Sequence, residues 1–350
     1  MFAIQFFPPM GGRTPVALPL DLPDGAPGSL GLDAPPRLFR TMAIRVHPNV
    51  EWVEITVKSV LNRVHGMPFN WSINPYRGCA HACIYCFARV TQWYLDQDGV
   101  NEWSSRIFVK VNAPEVLRAE LARPSWRREE VAVGTATDAY QPAEGYYRLT
   151  RRILEALRDY QTPVSLVTKS TMVLRDRDVL LDLARGPGVC VFFSITTVDP
   201  CLAREIEPDV PPPQRRLEAM RALVEAGIPS GVLLAPVLPG LTDDEDHLAA
   251  VVMTAKEYGA RSLGTNVLHL GDVTRQAFLQ FLEHKHPDLV TEYERLYRGR
   301  YLPRAYQQRV RAVVAALKRR LSFGAGSLSR SQDRVSPSAP FLEPRQLRLF

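Results

Sequence analysis

The sequence predicts an α/β fold of six βα units around a parallel sheet, and two observations carry that expectation. Short β-branched or apolar runs alternate with longer amphipathic stretches of helical period, the pattern of strands buried on both faces and covered by helices. Polar residues gather directly after several apolar runs, at the carboxyl ends of the expected strands, where such folds place their chemistry. These are Thr135, Thr137 and Asp138, then Thr168 to Ser170, then Ser194, Thr196 and Thr197.

Residues 7–36 are crowded with Pro and Gly, which rules out a helix or central strand there and predicts an irregular N-terminal arm, with the arm and lead-in spanning 1–65. Strands are expected at 70–74, 131–137, 164–169, 189–196, 231–238 and 262–268, inside a core of 66–272. Helices are expected between them, among them 146–160, 214–226 and 243–258. A helical extension over 273–321 follows, and 322–350, rich in Ser, Gly, Pro and Arg without apolar period, reads as a disordered tail. Periodicity leaves two arrangements open, a doubly wound sheet or an incomplete barrel, because both bury their strands on two faces.

Composition narrows the setting. The chain has 350 residues, 46% apolar and 23% charged, enough for the core of one or two domains. No apolar run approaches the roughly 18 residues of a membrane span, and the start lacks a basic segment before its apolar residues, so neither membrane insertion nor export is expected. The 43 basic and 37 acidic residues leave a net +6, which permits a phosphate-rich partner such as DNA without requiring one. The cysteines number five, and three of them, Cys79, Cys83 and Cys86, fall within one short loop. That favours a metal or cluster site in a reducing, cytoplasmic setting over a disulfide scaffold. Cys190, in an apolar strand, and Cys201, at a helix start, read as packing residues.

The loop after the first strand carries its thiols as C-x3-C-x2-C. Three thiolates hold three irons of a cubane and leave the fourth without a protein ligand, whereas a closed electron-transfer cluster takes four cysteines. The alternative from residue types alone is a structural zinc site using Cys79, His81, Cys83 and Cys86. With Tyr85 as the aromatic in C-x3-C-x-aromatic-C, the loop resembles that of the radical S-adenosylmethionine (radical SAM) superfamily. The resemblance implies a partial (β/α)6 TIM-like barrel. It also implies a 4Fe-4S cluster on Cys79, Cys83 and Cys86, with S-adenosylmethionine bound at the open iron and Tyr85 near the adenine.

Within that superfamily the chain is similar to the spore photoproduct lyase-like proteins, often labelled DNA repair photolyases. The similarity rests on Gly134-Thr135-Ala136-Thr137-Asp138, Val167-Thr168-Lys169, Phe193-Ser194-Ile195, Glu207-Pro208 with Arg216-Leu217, and Ala235-Pro236. It implies that Tyr85, Thr137, Asp138, Lys169, Ser194 and Arg216 bind the cofactor, and that a reductant such as flavodoxin or ferredoxin supplies electrons. One departure concerns the hydrogen-atom donor: the lyase's donor cysteine is matched here by Gly134, so repair of spore photoproduct itself is not expected. Tyr140, in the loop after the second strand, is a candidate for relaying a hydrogen atom, since a phenol is oxidised by one electron.

The chain ends Gln346-Leu347-Arg348-Leu349-Phe350, an apolar group on a polar tail. Such a group reads as a linear motif for a partner's pocket, and it resembles the bacterial sliding-clamp-binding pentapeptide, with Gln346, Leu347, Leu349 and Phe350 as contacts. Together these features imply a radical SAM enzyme that forms a 5'-deoxyadenosyl radical to abstract hydrogen from DNA or a DNA lesion. The alternatives are a peptide or small-metabolite substrate, or a zinc-stabilised, clamp-associated adaptor.

Overall fold

The computed structural model describes residues 40–47, 50–95 and 102–323. In chain order the strands are β1 (Arg40–His47), β2 (Val50–Thr56), β3 (Asn62–Arg63), β4 (Trp71–Ile73), β5 (Tyr76–Arg77), β6 (Arg106–Lys110), β7 (Val131–Val133), β8 (Val164–Thr168), β9 (Val189–Ser194), β10 (Ser230–Val237) and β11 (Leu263–Val267). The α-helices are α1 (Ala113–Leu121), α2 (Pro142–Tyr147), α3 (Leu149–Asp159), α4 (Arg177–Arg185), α5 (Pro200–Ile206), α6 (Pro213–Glu225), α7 (Glu245–Glu257), α8 (Asp272–Lys285), α9 (Val290–Leu296) and α10 (Arg304–Arg320).

The large sheet runs β11-β10-β9-β8-β7-β4-β3. Every neighbouring pair from β4 to β11 is parallel, and β3 closes the near edge as an antiparallel partner of β4. Each new parallel strand adds on the same side of its predecessor. A doubly wound sheet would reverse direction part-way, so this order selects the incomplete barrel. Right-handed crossovers in a constant direction bring the helices to one face and leave the other free to enclose a cavity. On the helix side, Leu166, Val191 and Leu234 of the sheet join one core with Leu154 and Leu157 of α3, Leu180 of α4, Leu217 of α6 and Val252 of α7. Each such side chain contributes roughly 1.5–3 kcal/mol by leaving water.

The six expected parallel strands are all present, with local corrections. The second stops at Val133, because Gly134 takes φ +83° and turns the chain out of the sheet. The helix expected over 146–160 is two helices, since Arg148 takes the left-handed conformation (φ 51°, ψ 35°) between α2 and α3. A second sheet, β1-β2-β6-β5, was not expected at all. Its strands come partly from the lead-in and partly from the segment before α1, and β5, paired with β6, anchors the start of the cysteine loop. At the far end α10 buries Val310, Val314 and Leu317, and its Lys318 Nζ donates to the Leu263 carbonyl at 2.6 Å. Residues 324–350, including the expected clamp contacts Gln346, Leu347, Leu349 and Phe350, lie outside the described residues, as do residues 1–39.

Candidate active site at the cysteine loop

The loop leaves β4, pairs briefly as β5, and then winds at Gly78 (φ 80°) and Ala82 (φ 54°). Its shape is held by the segment that follows the neighbouring strand β7. The Thr137 hydroxyl donates to the Gly78 carbonyl at 2.7 Å, and the amide of the fully buried Gln141 donates to the same carbonyl at 3.2 Å while accepting from the Ala80 N–H at 3.0 Å. Cys79, Cys83 and Cys86 thereby line one wall of a cavity of about 420 Å³, at the carboxyl ends of the parallel strands. Tyr85, Thr137, Asp138, Lys169 and Ser194 line it as well. The structure brings together eight of the ten residues expected to form the site.

The two others lie behind the wall. Arg216 is 1% exposed; it pairs with Glu207 and donates to the Ser194 carbonyl at 2.7 Å, so it supports the strand end from beneath. Tyr140 does not line the cavity. The Asp138 carboxylate accepts from the Tyr140 N–H at 2.8 Å, tightening the turn, and the Tyr140 hydroxyl donates to Asp176 at 3.0 Å, on the Thr171–Asp176 turn beneath α4. Cys201, expected to be packed, is exposed: Asp199 caps the first turn of α5 and leaves the thiol facing water. Cys190 is half-buried, and burial pushes its thiol up to about 12.

Two buried carboxylates organise the cavity. Asp138 accepts from the Thr168 hydroxyl and the Lys169 N–H and lies 3.3 Å from His81 Nδ1. Burial alone would raise its pKa, but His81 and these donors hold it down to about 2. Burial likewise opposes charge on His81, yet Asp138 and the Cys79 sulfur raise it to about 10. Glu207 accepts from Tyr85, Thr196 and Arg216; burial would raise its pKa, but the Arg216 and Lys169 charges and the Tyr85 hydrogen bond outweigh that and lower it. Lys169 Nζ lies over the Tyr85 ring, 5.7 Å from its centroid, so a cation and an aromatic face share the cavity beside the sulfurs.

The residues present fit an iron–sulfur cluster, with three thiols on one wall of the cavity. Burial raises the Cys83 and Cys86 thiols, so ionising them calls for a bound metal. A single zinc ion takes four donors within about 2.3 Å of one point. A cubane instead takes each thiolate at a separate corner. The cation at Lys169 suits a cofactor carboxylate, and the remaining lining includes apolar groups such as Phe87, Phe192 and Leu233.

Sequence reasoning missed Gln141, Glu207 as a ligand of Tyr85, and His269. His269 lines the cavity just after β11, its ring tilted at 48° against that of Tyr301, and burial followed by the nearby Arg300 charge lowers it to about 4, so it is neutral at pH 7. Its only sequence signal was its position one residue past an expected strand.

The chain matches the radical SAM superfamily over residues 73–252. It is 42% identical over 284 residues to uncharacterized protein Rv2578c of Mycobacterium tuberculosis, spanning 80% of this chain and 84% of that protein. It is 30% identical over 201 residues to uncharacterized protein MJ0683 of Methanocaldococcus jannaschii, spanning 57% of this chain and 73% of that one. Among solved structures it resembles spore photoproduct lyase complexed with dinucleoside spore photoproduct, with a TM-score of 0.58, 15% identity, and coverage of 77% of this chain and 79% of that chain. It also resembles a variant of that lyase with bound AdoMet and the dinucleoside, with a TM-score of 0.55, 16% identity, and coverage of 75% and 76%. At such identities the likeness is one of fold, and it agrees with the monotonic parallel order of the strands. With the three-cysteine loop at the head of that sheet and a family match over more than half of its residues, the chain belongs to the radical SAM superfamily.

Proposed function

We propose that this enzyme binds a 4Fe-4S cluster through Cys79, Cys83 and Cys86 and S-adenosylmethionine at the open corner. When bound, the cluster supplies the electron that splits S-adenosylmethionine into methionine and a 5'-deoxyadenosyl radical, which takes a hydrogen atom from the substrate. The observation that carries this reading is the convergence of three thiols, a cation and an aromatic ring on one cavity at the carboxyl ends of the parallel strands. Lys169 pairs with the methionine carboxylate, Tyr85 packs near the adenine, and Asp138, fixed by His81 and the Lys169 N–H, orients the strand ends around them. The walls keep water from the reacting atoms.

For the substrate we infer DNA or a DNA lesion. Support comes from the net +6 charge, the clamp-like ending at Gln346, Leu347, Leu349 and Phe350, and the fold shared with a lyase complexed with a dinucleoside. The lesion is not spore photoproduct by the lyase's own route, because Gly134 stands where that route needs a thiol and has no room for one: a Cβ there would lie 2.6 Å from the Val167 carbonyl oxygen. The deciding experiment is anaerobic reconstitution followed by 5'-deoxyadenosine release with and without ultraviolet-damaged DNA. Stimulation by damaged DNA supports the reading, release without stimulation points to a peptide or small-metabolite substrate, and bound zinc without release refutes radical chemistry.

A further inference from the structure

We infer that Trp103 is a hydrogen-bond donor to the sulfur of the cluster, placed to make the cluster easier to reduce. This rests on the cluster reading above. Trp103 stands in the turn before β6, outside the cysteine loop and outside the motifs that carry the family resemblance. It is 1% exposed, and its Nε1–H has no acceptor among the described residues. Indole nitrogen can only donate, and buried donors are paired in the great majority of cases. An orphan of this kind points to an acceptor that arrives with a ligand.

Its surroundings identify the acceptor. The indole belongs to a small packed group with Cys79 and Ala88, flanked by Cys86, Phe87 and Ala136. Within this apolar group of described residues, the side-chain atoms able to accept are the sulfurs of Cys79 and Cys86. The Trp103 carbonyl accepts from the Cys79 N–H at 3.3 Å, so the backbone itself holds the tryptophan beside the first cysteine. A thiol is a weak acceptor. A cluster-bound thiolate or sulfide carries more negative charge and gains a further share of it on reduction. A donor aimed at that sulfur therefore favours the reduced form, and hydrogen bonds to sulfur are among the factors that set cluster potentials. The apolar neighbours keep out water that would otherwise compete for the same sulfur.

The test compares reconstituted wild type with Trp103→Phe, which keeps a ring in the packed group and removes only the N–H. Iron and sulfide are counted first, and the cluster is then titrated with titanium(III) citrate and followed by electron paramagnetic resonance. The expected result is equal iron content and, at fixed potential, a roughly tenfold lower ratio of reduced to oxidised cluster in the variant, which is about 59 mV for one electron. An unchanged potential at equal iron content overturns the inference. Should the variant fail to fold, wild type labelled with 15N-tryptophan still decides: pulsed resonance of the reduced cluster should show a 15N coupling, and its absence overturns the inference. A wild type that takes up no iron or sulfide refutes the cluster reading itself and takes this inference with it.

Discussion

The Tyr85 hydroxyl donates to the Glu207 carboxylate, tying the cysteine loop to a residue 122 positions further along the chain. Glu207 is fully enclosed and is balanced by Arg216. Breaking such a pair from one side leaves an uncompensated buried charge, so Arg216→Met should cost about 3–5 kcal/mol in chemical denaturation. Adding Glu207→Gln to it should restore part of the loss. Equal stability of the single and double variants would show that the pair is not coupled.

The Asp138 and His81 pair gives an acid-sensitive contribution with a definite sign. Asp138 is held at about 2 in the folded protein, against about 3.9 for the unfolded chain. Its contribution, about 2–3 kcal/mol by linkage, is present above pH 4 and is lost as pH falls from about 4 towards 2. Acid titration of unfolding free energy should show this loss, and Asp138→Asn should flatten it over that window.

Gly134 should accept no side chain. A Cβ would meet the Val167 carbonyl oxygen at 2.6 Å, and the residue holds φ +83°. Gly134→Ala should lower stability by about 2 kcal/mol or more, from the left-handed conformation together with the clash. Gly134→Cys should do the same without acquiring repair of spore photoproduct, measured by product formation from the dinucleoside.

Tyr140 and Asp176 are buried together away from the cavity. Tyr140→Phe removes one hydrogen bond to a carboxylate that keeps Arg175 and Arg151 as partners, so stability should fall by about 1 kcal/mol. Release of 5'-deoxyadenosine and product formation should stay within about twofold of wild type. A large loss of product with unchanged cofactor cleavage would instead restore a relay role for this phenol.

The parts that proved legible in the sequence were those written in local pattern. Six apolar runs gave six parallel strands, and the spacing of Cys79, Cys83 and Cys86 with Tyr85 marked the loop that lines the cavity. What stayed hidden depends on distant contacts. Nothing near Gln141 says that its amide holds Gly78 and Ala80, and nothing near Glu207 says that it accepts from Tyr85. The β1-β2-β6-β5 sheet escaped for the same reason, since its members are separated in sequence by the cysteine loop itself. The direction of the Tyr140 ring was decided by an Asx-type turn at Asp138, a one-residue choice between facing the cavity and facing Asp176.

Among the described strands, β4 and β11 stand at opposite ends of the parallel series and do not pair with one another. The described parallel strands thus form an arc, and α8 spans part of its gap, where the Thr274 hydroxyl donates to the Cys86 carbonyl at 3.0 Å. On that side the cavity is bounded by side chains such as Phe87 and His269 and not by paired strands, so its width there is set by side-chain size and not by the sheet.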